Sequence, residues 1–193
     1  GMNSALTPWM YSKIKKGDIR SMRKVLQLLS VVVVGIAVAL MLISPELVLI
    51  FGSPKYREAV YVIPPVAASV FFIFIYNILS MPQFYYEKTQ FLMAASMAAA
   101  GANVVLNFIF IRLFGYIAAG YTTLACYMLY SVGHYIVSKQ ILVNEGIQEN
   151  LMNPGFLLAC SVFLIGASII CNLIFPYRIL RYAILLASAG LVF

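Results

Sequence analysis

From Val25 onward the sequence is built of apolar blocks of about 20 residues, nearly free of charge and separated by short polar turns. A helix of that length crosses a bilayer core of roughly 30 Å. Lipid offers the backbone no hydrogen-bond partners, so each block must close its own bonds as a helix. A membrane β-barrel would instead show segments of about 10 residues alternating apolar with polar. Runs such as Val31–Val34 and Val70–Ile75 do not alternate. Composition agrees, at 63% hydrophobic, 10% charged and a mean hydropathy of +0.96. A soluble domain holds roughly 45–50% apolar and 25% charged residues. The expected fold class is all-α, a polytopic transmembrane helical bundle.

Five full spans are predicted over about 25–43, 61–85, 91–113, 117–137 and 155–175, with a partial sixth over 181–193. Ser44–Pro45 reads as the end of the first span. A short interfacial helix to Gly52 and a polar turn from Ser53 to Glu58 follow it. Tyr85–Gln90 and Phe114–Tyr116 read as tight turns, and Lys139–Pro154 as the one long polar loop. Ala94–Ala102 is rich in small residues, which predicts a helix face packed hard on a neighbour. Residues 1–24 form a basic segment without a span of its own. The short last run and the Pro8-Trp9 pair suggest a chain cut at both ends, with Gly1 before Met2 as an expression scar.

The net charge of +7 does not point to nucleic acid, because the cations form no face on a soluble domain. Lys13, Lys15, Lys16, Arg20, Arg23 and Lys24 gather just before the first block, the position of a cytoplasmic anchor beside anionic headgroups. With the N-terminal segment cytoplasmic, Lys88 and Lys139 join these six inside. Lys55, Arg57, Arg112, Arg178 and Arg181 lie outside, Arg112 snorkelling from its helix end. Eight against five favours this orientation. Cys126, Cys160 and Cys171 lie in apolar blocks at no metal-ligand spacing and read as small buried hydrophobes.

The chain carries one histidine and no nucleotide-binding, metal or hydrolase motif, nor a carboxylate pair within a span. These features argue against an enzyme, and no cofactor or catalytic residue is assigned. What remains is a set of uncharged polar stripes. Ser96, Ala99, Asn103 and Asn107 share one helix face, and Gly120, Thr123, Tyr127, Tyr130 and His134 share another. Asn77 and Ser80 sit on the helix before. An Asn amide facing lipid would be left unpaired, so these groups should face protein or water. Asn77, Ser80, Asn103, Asn107, Thr123, Tyr127, Tyr130 and His134 are the candidates for lining a cavity, since hydroxyl, amide and aromatic groups suit sugars. The plainer role for any of them is interhelical hydrogen bonding. An intramembrane histidine can relay protons, but His134 falls near the inner end of its helix, within reach of headgroups.

The stretch Asn103-Val-Val-Leu-Asn107-Phe-Ile-Phe-Ile-Arg112-Leu-Phe-Gly115-Tyr-Ile-Ala-Ala-Gly120 resembles a signature of bacterial oligosaccharide flippases. These form the polysaccharide-biosynthesis branch of the multidrug/oligosaccharidyl-lipid/polysaccharide exporter superfamily. Ile50–Ala59 resembles the family's outer loop, Phe84–Thr89 its inner turn, and Thr7–Asp18 the end of the preceding helix, in the right order. The similarity covers nearly the whole chain. It departs at Arg112, where the family commonly has a proline. The resemblance implies one lobe of a two-lobe exporter in the bacterial inner membrane. Such an exporter moves lipid-linked oligosaccharide outward by alternating access for surface polysaccharide assembly. The implied partners are membrane lipids, the lipid-linked oligosaccharide and a missing N-terminal lobe, without which this lobe is not expected to transport. A drug/cation antiporter or peptidoglycan-precursor flippase of the same superfamily is the nearer alternative. A non-transporting membrane scaffold subunit is the more distant one.

Overall fold

The computed structural model describes residues 2–52 and 54–190, with side chains described from 6 to 52 and from 57 to 184. Gly1, Ser53 of the expected turn and the last residues of the expected partial span, 191–193, lie outside the described residues. Among the described residues there is no strand. The elements in order are α1 (Met2–Lys15), α2 (Ile19–Phe51), a 3-10 helix (Pro54–Val62), α3 (Ile63–Tyr85), α4 (Gln90–Phe114), α5 (Ala118–Asn144), α6 (Pro154–Ile174) and α7 (Arg178–Gly190).

Four stretches among the described residues are helical, long and apolar enough to cross a membrane: Ile19–Phe51, Arg57–Tyr85, Gln90–Phe114 and Pro154–Ile174. Their outward faces carry large apolar side chains such as Ile36, Val105, Val162 and Leu173, all more than half exposed. Water does not tolerate apolar surface on that scale, whereas lipid does. The fourth expected span, 117–137, lies in a helix of 27 residues, α5, but this helix is not among those four. Thr122, Thr123, Tyr127, Tyr130, Ser131, His134 and Ser138 dilute its apolar character. It accommodates them because it is central, packed against both α3 and α4, with Thr122, Ser131, His134 and Ser138 buried.

The segment without a span is itself helical. α1 buries Met10 and Ile14 and sets Tyr11 edge-on against Tyr85, 5.3 Å between ring centroids. An elbow at Gly17 links it to α2, with φ +67° there. Asp18 holds the elbow: Oδ1 accepts from the Ser21 backbone N–H at 3.2 Å as an N-cap, and Oδ2 pairs with Lys13 at 2.6 Å. Hydrogen bonding to Lys13 keeps this exposed carboxyl below its ordinary pKa.

Contrary to the expectation from the sequence, Pro45 does not end the first helix; α2 runs on to Phe51. Proline removes the N–H that would reach the carbonyl of Met41, four residues back. The Ser44 hydroxyl donates to that carbonyl instead, at 2.8 Å, the repair by which membrane helices tolerate proline. The expected interfacial helix is therefore the last turns of α2.

α3 is the hub. It packs most extensively on α5, then on α2 and α6, and buries Ala68, Phe71, Phe72, Ile75 and Leu79. α5 comes close to the start of α3 at Gly120, where a Cβ would sit 2.8 Å from Pro65 Cγ and 2.9 Å from the Val62 carbonyl oxygen of the 3-10 helix. α4 differs from the expectation of a tightly packed small-residue face. No residue of α4 is buried. Phe91, Ala95, Ala99, Asn103, Leu106 and Asn107 are half-buried toward α5, its one extensive neighbour, while Ala94, Ala98, Ala100, Gly101 and Ala102 are exposed.

Polar contacts at the two ends of the bundle fix an alternating course. At the end bearing the basic cluster, Lys88 pairs with Glu145 at 2.8 Å. There too, Arg23 donates to the Asn150 carbonyl at 2.8 Å and pairs with Glu149 at 3.3 Å. At the far end the Tyr116 hydroxyl donates to Glu58 at 3.1 Å. Arg181 of α7 there grips Glu46 of α2 through two bonds of 2.9 Å. Arg181, expected in an outer loop, is instead 4% exposed and also donates to the Leu42 carbonyl.

Candidate functional site

The two polar stripes read from the sequence meet. A groove of about 450 Å³ opens between α4 and α5, floored by Tyr76 of α3. Ser96, Ala99, Asn103 and Val104 form one wall, and Thr123, Cys126, Tyr127 and Tyr130 the other. Helical spacing produces this arrangement: positions three and four apart fall on one face of each helix, and the small side chains at Ala99 and Ala100 leave the space open.

Hydrogen bonds set the walls. The Ser96 hydroxyl donates to the Leu92 carbonyl at 2.8 Å, so the Tyr130 hydroxyl, 2.6 Å away, donates to Ser96. Deeper along α4, Asn107 Nδ2 donates to Asn103 Oδ1 at 2.9 Å, and the Thr122 hydroxyl donates to Asn107 Oδ1. Asn107 thus acts as a brace between α4 and α5. It orients the Asn103 carboxamide, whose Oδ1 it occupies, and does not itself line the groove.

The aromatic floor is layered. Tyr76 lies parallel to Tyr127 at 6.2 Å and tilted against Tyr130 at 4.7 Å. Behind them His134 meets Tyr130 edge-on at 4.5 Å and Phe91 edge-on at 5.4 Å. The His134 ring is fully buried, with Nδ1 2.7 Å from Nε2 of Gln83. It does not reach the headgroup region, contrary to the expectation from its place near the helix end. In this arrangement the Gln83 carboxamide nitrogen donates to Nδ1.

Of the sequence candidates, Asn103, Thr123, Tyr127 and Tyr130 therefore line the groove, and Asn107 and His134 support it from behind. Asn77 and Ser80 do not belong to it. Asn77 Nδ2 donates to the Ile73 carbonyl at 2.7 Å, and the buried Ser80 hydroxyl donates to the Asn77 carbonyl at 2.8 Å. Tyr76 is the residue that sequence reasoning missed. It neighbours Asn77, but one residue around a helix is a turn of about 100°, so its ring lines the groove while the Asn77 carboxamide does not. Its signal was available as a third tyrosine beside an amide, on the helix preceding the two stripes.

The arrangement suits a polyhydroxylated guest. Flat tyrosine faces offer apolar area, while a carboxamide and hydroxyls offer donors and acceptors, and the groove walls carry no charge. Among the described residues no group of His, Cys, Asp and Glu is placed to hold a metal ion. No family model matches this chain, and no curated protein or solved structure matches it.

Proposed function

We propose that the chain is one lobe of a flippase that moves lipid-linked oligosaccharide across the bacterial inner membrane for surface polysaccharide assembly. In this reading α5 is a fifth span, the basic cluster at Lys13–Lys24 faces the cytoplasm, and the partial helix α7 belongs to a sixth span. The groove between α4 and α5 is the observation that carries it. It joins stacked tyrosines to uncharged polar groups on a helix that has no buried residue. The uncovered small-residue surface of α4 is where a second lobe would close the cavity, and the likeness of Asn103–Gly120 to the flippase signature points the same way. Uncharged walls favour a sugar-bearing guest over a drug cation, which would call for a carboxylate there.

Deletion of the gene from its host tests the reading. Surface polysaccharide should fall and its lipid-linked precursor should accumulate on the cytoplasmic leaflet. A wild-type copy should restore export, and a copy carrying Asn103→Ala with Tyr127→Ala should not. Unchanged surface polysaccharide after deletion overturns the proposal.

A further inference from the structure

At the far end of the bundle, away from the groove, a second cavity of about 350 Å³ lies between the last turn of α2, the 3-10 helix and the start of α7. Its polar lining is Glu46, Arg57, Arg178 and Arg181, with Leu49 and Val60 among its apolar residues. Three guanidiniums and one carboxylate leave a net charge of +2. The single carboxylate is already committed. Both Glu46 oxygens accept from Arg181, and Oε1 also accepts from the Tyr182 hydroxyl at 2.9 Å. Among the described residues Arg57 and Arg178 have no ion-pair partner.

Two unpaired like charges on one cavity repel each other, and each favours an anion between them. A guanidinium presents a planar fork of donors that matches phosphate oxygens two at a time. Arg178 is also held, its guanidinium 5.6 Å from the Tyr182 ring centre, with Arg181 at 5.7 Å from the same ring. Tyr182 thus lies beside both Arg178 and the buried Glu46–Arg181 pair, to which its hydroxyl donates. The surroundings say how the anion is presented. Leu49, Ile50 and Phe51 at the end of α2 and Ile179 on α7 are exposed, Ile179 at 87%. They form an apolar apron beside the cationic cavity, as an acyl chain below a headgroup requires.

We propose that this cavity binds a phosphate group, presented at the membrane surface as a lipid headgroup or as the free anion. The site is separate from the groove and does not rest on the flippase reading. Arg57 and Arg178 make the direct contacts, while Arg181 and Glu46 hold the frame.

The test uses the full chain, purified in a neutral detergent, with three probes: dioctanoyl phosphatidic acid, dioctanoylglycerol as the same tails without phosphate, and inorganic phosphate. Saturable binding is followed by titration calorimetry. Phosphatidic acid should bind and dioctanoylglycerol should not. Arg57→Gln with Arg178→Gln should weaken the phosphatidic acid by about tenfold or more, as expected for the loss of two charge-assisted contacts. Both residues are exposed, so an unchanged melting temperature should show that this variant folds. Arg20→Gln with Lys24→Gln, at the opposite end, should leave binding as it was. Inorganic phosphate binding as tightly, and lost in the same variant, upholds the site with a soluble phosphate as its source. Binding of phosphatidic acid alone upholds it with a lipid as its source. Three results overturn the proposal: no binding of either phosphate, equal binding of dioctanoylglycerol, or equal weakening by the control pair.

Discussion

Replacing Arg181 by Met removes two bonds of 2.9 Å to Glu46 and one of 2.9 Å to the Leu42 carbonyl. Methionine fills much of the same volume, so the loss is mainly electrostatic. Breaking a buried ion pair from one side costs about 3–5 kcal/mol, because the remaining charge stays buried without its partner. Glu46 keeps the Tyr182 hydroxyl, and its side chain is 24% exposed, which brings the cost to the lower end, about 3 kcal/mol. Glu46→Gln strands the more deeply buried member, Arg181 at 4% exposure, and should cost at least as much. Combining the two substitutions removes both charges. The double variant should then be more stable than the sum of the singles by about 2 kcal/mol, a coupling in the range measured for residues in contact. For a chain of this size about 3 kcal/mol corresponds to a shift of roughly 6–12 °C in melting temperature. The buried thiols of Cys126 and Cys171 offer internal reporters once the half-buried Cys160 is replaced by Ser: a thiol-reactive dye labels them as the detergent-solubilised chain unfolds. Additive single and double variants, with no coupling, would refute the view that Arg181 and Glu46 act as one buried unit.

Gly120→Ala drives a methyl group against Pro65 and the Val62 carbonyl, and should destabilise by about 1–3 kcal/mol in the same dye assay. Gln83→Leu leaves the buried His134 Nδ1 without a donor and should cost about 1–3 kcal/mol, partly recovered by adding His134→Phe. Asp18 has a folded pKa below its unfolded value. Its contribution to the α1–α2 elbow is therefore full above the ordinary aspartate pKa and is lost as pH falls through the depressed one. Hydrogen exchange of α1 should accelerate over that acid range, and Lys13→Met should move the onset to higher pH.

Four long apolar helices were legible because lipid imposes one length and one chemistry on whatever crosses it, and a sequence shows both directly. The first stop was misread because Pro45 usually breaks a helix, and only the structure shows Ser44 supplying the hydrogen bond that proline lacks. The small residues of α4 signalled close packing, but composition cannot say whether the partner lies in the same stretch of chain; here most of that face is uncovered. Helical periodicity located Asn103, Thr123, Tyr127 and Tyr130, since each stripe lies on one helix. It grouped with them Asn77 and Ser80, which lie outside the groove lining, and it passed over Tyr76. The Glu46–Arg181 pair was invisible for a simpler reason. It joins residues 135 positions apart, and no local pattern links them.

The central claim is that the α4–α5 groove holds a lipid-linked oligosaccharide. A photoreactive amino acid placed at Thr123, inside the groove, tests it in the membranes of the host, with Val162 on the exposed face of α6 as the control position. After irradiation the account predicts a saccharide-bearing lipid attached to the chain from position 123 and none from 162. Ordinary phospholipid adducts at both positions, with no saccharide at either, would contradict it.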